Sequence, residues 1–220
     1  MNLKNITEKY IAVFVKIAYG SSNSQKNFLQ NKLSDLKLKT LHEKGVIIYD
    51  YYEIVNKNID NEFDFFIHEI WQSADLYASH LNNKDTKNFL QLQYKDVISN
   101  IELSIWKILK TKKIRKNVVN QSQILLECTV NTDYSTIFLE LLKYFEDNLS
   151  KDISCCGYSY YKKDINIKQN KDYRFCLIIG FDSKLSYEDI LQISYVDNFI
   201  KILNLITNKS VILSNLKLCT

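Results

Sequence analysis

Three groups of residues in this sequence have types and spacings that could do chemistry. The first is the adjacent pair Cys155 and Cys156, in ISCCGYSYYKKDINIKQNKDYRFCLIIGFD at residues 153–182. Zinc sites need thiolate or imidazole ligands at spacings such as C-x-x-C, and the only close pair here is the adjacent one, with no histidine after His80. A local zinc motif is excluded. A nucleophilic thiol needs a base and a group that orients the base; neither stands nearby, so Cys155 reads as a buried strand cysteine. The second group is His68 and Glu69, the first two positions of H-E-x-x-H, with Gln72 where the second metal-binding histidine must be. On a helix His68 and Asp75 would project the same way two turns apart, which leaves hydrogen bonding or metal ligation as a role for that pair. The third is cationic and aromatic: Lys107, Lys110, Lys112, Lys113, Arg115 and Lys116 in the basic segment 107–117, then Lys171, Tyr173 and Phe175. Such a set can neutralise phosphates and stack on bases, so Lys110, Lys112, Lys113, Arg115, Lys116, Lys171, Tyr173 and Phe175 are the candidate nucleic-acid contacts.

Other catalytic patterns fail on single residues. YGSSNSQKNFLQNKLSDLKL, residues 19–38, resembles the outline of a nucleotidyltransferase site, with an apolar strand, Gly20-Ser21 and then the place for a pair of magnesium-binding acids. Asp35 is followed two positions on by Lys37, which cannot ligate magnesium. A degenerate nucleotidyltransferase-like enzyme is the most that pattern supports. There is no G-x-x-x-x-G-K-[ST] loop, no G-x-G-x-x-G and no G-x-S-x-G elbow.

The elements that would position these groups follow from periodicity. From Asn61 to about Lys113 the apolar spacing predicts two amphipathic helices. Phe63, Phe66, Ile70, Trp71, Ala74, Tyr77, Ala78 and Leu81 share one arc of the first; Phe89, Leu92, Val97, Ile101, Ile105, Ile108 and Leu109 mark the second. Upstream lies another helix, stopped at Gly45. Strands are allowed at 9–18 and 46–55. The second half reads as strand 124–130, helix 133–149, two strands across 153–182, helix 186–206 and strand 210–218. That βαββαβ order predicts a ferredoxin-like module, a four-stranded antiparallel sheet with two helices on one face. The expected fold class is therefore α+β: a mainly helical region over 1–115, followed by a ferredoxin-like module over 120–220. Phe175, Leu177 and Ile179 are expected on the sheet face opposite the helices, yet covered, because both faces of FCLIIGF are apolar.

Two family resemblances attach to that module. KDYRFCLI, residues 171–178, resembles the third-strand signature of RNA recognition motifs at Lys171, Tyr173 and Phe175, and departs from it at Asp172 and Arg174. The resemblance implies single-stranded RNA on the open sheet face. The same element order resembles ACT-type regulatory modules in topology alone, without a glycine in the NTDY turn at 131–134.

Composition bounds the rest. The 220 residues are 46% apolar, enough to bury a sizeable core, and 29 basic against 25 acidic residues give a charge of only +4. Just two of the cations are arginine, the residue suited to gripping phosphate in a planar fork. Five cysteines, an odd number, fit reduced thiols in a cytoplasm. Lys16 interrupts the apolar patch at 10–19, and no export signal or spanning helix is expected. The residues thus predict a non-catalytic cytoplasmic protein that acts by association, through a protein partner or with itself, as a regulatory module or subunit of an assembly. No cofactor, no metal and no membrane insertion are expected, with RNA binding as the rival reading.

Overall fold

The computed structural model describes residues 10–20, 22–55, 62–113, 121–167, 170–182, 184–207 and 211–219. They pack as two compact units, one made of the described residues of 5–55, 61–107 and 217–220, the other of those of 108–216.

The first unit runs β1 (Ile11–Tyr19), α1 (Asn23–Thr40), β2 (Val46–Ile54), β3 (Phe65–Trp71), α2 (Ala74–Asn82), α3 (Lys84–Leu90), a 3-10 turn at Gln91–Lys95, and β4 (Ile98–Lys113), which leaves the unit after residue 107. Its strands lie in the order β4-β1-β3-β2, each pair antiparallel; Val13 stands opposite Ile105 on one side and Glu69 on the other, and Glu69 stands opposite Tyr49. Helix α1 starts where Ser22 and Gln25 form a capping box, each side chain accepting from the other's backbone N–H. Two residues before that cap the chain must stay small: a Cβ on Gly20 would lie 2.7 Å from the Asp96 carbonyl oxygen. Leu29, Leu33 and Leu36 of α1 close over Val13, Val15 and Ile17, the alternate residues of β1.

The mainly helical region is therefore corrected: both helices drawn from 61–113 contain strands. FFIHEIW is buried at all seven positions, and a run buried on both faces carries no period that separates strand from helix. Ser73 then caps α2 by accepting from the Leu76 N–H, which starts the helix at Ala74, well beyond Phe63 where the apolar arc began. In ISNIELSIWKILK the helical spacing of Ile101, Ile105 and Ile108 coincides with a stronger alternation, in which Ser104, Trp106 and Ile108 are buried while Leu103 and Ile105 are exposed. Asp96, at φ 55°, turns the chain out of the preceding 3-10 turn.

The second unit contains β5 (Gln121–Asn131), α4 (Ser135–Lys151), β6 (Cys155–Ile167), β7 (Asn170–Asp182), α5 (Tyr187–Gln192), α6 (Ser194–Ile206) and most of β8 (Ile212–Leu218). β7 lies between β5 and β6, antiparallel to both. Phe138, Phe145 and Leu149 of α4 and Phe199 and Leu203 of α6 pack on Leu126, Cys128, Phe175, Leu177 and Ile179. Phe175, Leu177 and Ile179 are covered, as expected, but by the helices themselves and not on the opposite face. That opposite face, with Leu125, Cys176, Ile178 and Tyr161, is buried as well.

The hydrogen-bonded strand order is β1-β3-β2-β8-β5-β7-β6-β4, and it closes. The expected fold class is overturned by this order: among the described residues the strands form an eight-stranded closed barrel with six helices, in place of one ferredoxin-like module behind a helical region. The βαββαβ order read from the second half is already used by the first, where strands had been taken for helices.

Candidate active site

The strongest concentration of buried polar chemistry lies in the first unit, on the helix-facing side of β3. Alternation along β3 sends Phe65, Ile67, Glu69 and Trp71 toward the helices. Glu69 is 3% exposed. Its carboxylate accepts a hydrogen bond of 2.7 Å from the Trp71 indole Nε1. Burial pushes its pKa up to about 8; the indole N–H opposes that shift, and the negative charge of Glu43 adds to it. Tyr49, directly across the strand pair, and Tyr77, from the first turn of α2, are both buried, and the cost of burying a phenolate holds the pKa of both hydroxyls well above its ordinary value. The Tyr77 hydroxyl is buried without a hydrogen-bond partner. His80 completes the cluster, its ring 4.8 Å from that of Trp71 and 6.0 Å from that of Tyr77. Its Nδ1 lies 3.0 and 3.1 Å from the two carboxylate oxygens of Glu43.

A buried carboxyl that ionises near neutrality can take a proton from a weak acid inside an apolar site, where aromatic rings and a lone indole donor surround the reacting group. The matching positions of the second unit hold no such chemistry. There Tyr158 stands opposite Ile179, and Ile179 and Phe181 occupy the helix-facing end of β7. Phe145 stacks on Phe199 at 3.9 Å, a plain aromatic core.

On the other face of β3, His68 is 5% exposed and its ring meets Phe14 at 5.4 Å. Burial, only partly offset by the charge of Asp50, lowers its pKa to about 4, so it is neutral at pH 7. His68 and Asp75 do not share a helix: the first lies on β3 and the second is exposed in the first turn of α2. Among the described residues no group of three or more His, Cys, Asp or Glu could hold a metal ion. The five cysteines are buried and form no disulfide, and burial pushes the Cys155 and Cys128 thiols up to about 12. Asp35 is exposed on α1 beside Lys32, and Lys37 reaches Asp50 at 3.2 Å.

The described candidate nucleic-acid contacts lie on β4 and β7. Lys110 pairs with Glu146, Lys112 donates to the Ser150 hydroxyl at 2.9 Å, and Lys113 ends β4, exposed. Arg115 and Lys116 lie outside the described residues, as does the side chain of Lys171 on β7. Tyr173 is half-buried, with the Lys162 ammonium 3.4 Å from its ring centre. Phe175 is 4% exposed, 4.2 Å from Phe138 and turned toward the helices.

The sequence reading missed Glu69, Trp71 and Tyr77 as a group, placing the aromatics on a helix stripe and the acid beside a solvated histidine. The signal available was a carboxylate inside FFIHEIW, a run of strand length that is otherwise apolar apart from His68.

No family model and no curated protein matches the chain. Solved structures do. A candidate monooxygenase from Fusobacterium nucleatum shares the fold over 98% of this chain and 94% of its own, at a TM-score of 0.73 and 15% identity. A second candidate monooxygenase, from Lactobacillus acidophilus, covers 97% and 95% at 0.68 and 10% identity. An anthrone oxidase-like protein covers 98% and 94% at 0.66 and 11% identity. At these identities the likeness is one of fold. It overturns the expectation of a non-catalytic regulatory module or assembly subunit, and with it the ferredoxin-like assignment: the proteins that share the whole architecture carry the names of enzymes. No helix among the described residues is long and apolar enough to cross a membrane.

Proposed function

We propose that the chain is an enzyme that oxygenates an apolar aromatic substrate with O2, and that its first unit holds the active site, with Glu69 as the proton acceptor. The observation that carries this reading is Glu69: a 3%-exposed carboxyl, hydrogen-bonded to the Trp71 indole among Tyr49, Tyr77 and His80, in a fold shared at full length with proteins named as monooxygenases. The anthrone in one neighbour's name suggests a fitting substrate type. Its methylene is flanked by two aryl rings and conjugated through them to a ketone, which makes the C–H weakly acidic. The Glu69 carboxylate takes that proton and leaves the electron pair on carbon. Oxygen accepts electrons from the carbanion, a C–O bond forms, and the second C–H proton is lost as the O–O bond breaks. The sum is CH2 + O2 giving C=O + H2O, and the substrate supplies every electron. The apolar surroundings keep water from reprotonating the carbanion. Five cysteines outside any disulfide suit a reducing cytoplasm.

The test is anthrone under 18O2. The reading expects O2 uptake and one labelled oxygen in the new carbonyl, with a rate that rises through about pH 8 as Glu69 ionises. A rate no faster than that without protein would reject it.

A further inference from the structure

A proton that Glu69 accepts has to leave before the next turnover, and at 3% exposure the carboxyl cannot release it to water directly. We propose that His80 and Glu43 form the acid–base couple through which the buried Glu69 cluster exchanges protons with solvent; this rests on the reading of Glu69 as proton acceptor.

The geometry is that of a bridge from inside to outside. A carboxylate only accepts hydrogen bonds, so with both Glu43 oxygens at 3.0 and 3.1 Å the Nδ1 of His80 carries the N–H, and the neutral ring keeps its lone pair on Nε2. The inner side of the ring faces the site: Trp71 at 4.8 Å, whose nitrogen is committed to Glu69, then Tyr77 at 6.0 Å and Tyr49 at 6.2 Å. The Tyr77 hydroxyl, without a partner and near enough to feel the Glu69 charge, is an unoccupied donor of the cluster. Thr86 of α3 lies 3.4 Å from both ring nitrogens.

The outer end is open. The His80 side chain is 3% exposed but that of Glu43 is 18% exposed, and Glu43 lines a surface groove with Lys44, Leu76, Ser79, Asn82 and Asn83. Asn83 donates to the same Glu43 oxygen at 3.2 Å and holds the carboxylate toward the histidine. A proton arriving at Nε2 makes an imidazolium stabilised by Glu43; the Nδ1 proton then passes to Glu43 and the groove water. One proton enters, one leaves, and no electron moves. The second unit has a phenol in its own buried cluster, Tyr160, with no hydrogen-bond partner but no histidine, so the device belongs to the half that carries the carboxyl.

Nuclear magnetic resonance of 15N-histidine-labelled protein tests this without a substrate, since His42, His68 and His80 are the only histidines. The His80 ring nitrogens should show a step that follows Glu69 ionisation near pH 8, and Glu69→Gln should abolish that step. Glu43→Gln should slow exchange of the His80 ring proton with water by at least about tenfold, as loss of a general base does. His80 signals indifferent to Glu69→Gln, or ring-proton exchange unchanged in Glu43→Gln, would overturn the inference. Neither result bears on whether anthrone is oxidised, so failure here is distinct from failure of the oxygenase reading.

Discussion

The Trp71 indole nitrogen donates to the Glu69 carboxylate at 2.7 Å, two positions along one face of β3. The acceptor is a carboxyl that burial strongly disfavours as an anion. A single neutral donor offsets only part of that cost. Retaining an acid there, where the second unit uses Ile179, costs stability that an apolar residue would spare.

Glu69 therefore imposes a pH dependence of definite sign. Its pKa is raised from 4.5 to about 8 on folding, so between those values the unfolded chain has lost a proton that the folded chain keeps. Stability is unaffected by this group below pH 4.5, falls as pH rises to about 8, and is flat above. Glu69→Gln should remove that slope, and at pH 8 the variant should exceed the wild type by on the order of 2–4 kcal/mol in urea unfolding. Parallel curves for the two proteins would show that Glu69 is not buried as a neutral acid.

His68 acts in the opposite direction. Folding lowers its pKa from 6.5 to about 4, so the unfolded chain binds the extra proton in that window and stability falls as pH drops through it. Between pH 4.5 and 6.5 the two groups nearly cancel; His68→Asn should expose the Glu69 slope across that range. The check is the same unfolding series, and an unchanged profile would count against a neutral, buried His68.

How legible all this was depended on burial pattern. The strands of the second half alternate or carry β-branched runs between turn residues, and they stood out. β3 did not, because a strand covered on both faces loses its period of two; the apolar spacing of Phe66, Ile70 and Tyr77 then mimicked a helix that crosses the Ser73 cap. In β4, Ile101, Ile105 and Ile108 produced the same confusion although Ile105 is half-exposed. The site was hidden for a related reason. Glu69 was visible only beside His68, whereas the fold turns those neighbours to opposite faces of one strand and joins Glu69 to Trp71, Tyr77 and Tyr49.

Leu177 faces the helices with no exposure, in contact with the cluster that Phe138 and Phe199 build. Leu177→Asp should cost about 4 kcal/mol or more, or abolish folding, because a charge would enter an apolar site without a partner. A soluble variant with the wild-type melting temperature would contradict this placement.

Arg174 reaches Glu127, 3% exposed, at 3.1 Å. Arg174→Met removes that guanidinium from a buried carboxylate and should cost about 3 kcal/mol, whereas Arg174→Met with Glu127→Leu should recover most of the loss, since two apolar residues replace the pair. A double variant no better than the single one would show that the pair is not coupled.

Oxygen uptake with anthrone at pH 8.5, compared between wild type and Glu69→Gln, tests the central claim most directly. Glutamine keeps the shape and the acceptor for Trp71 but cannot take a proton, so the account predicts a fall of about 10²–10⁴-fold in kcat with the fold preserved and a melting temperature above that of the wild type. Equal turnover by the two proteins would contradict it.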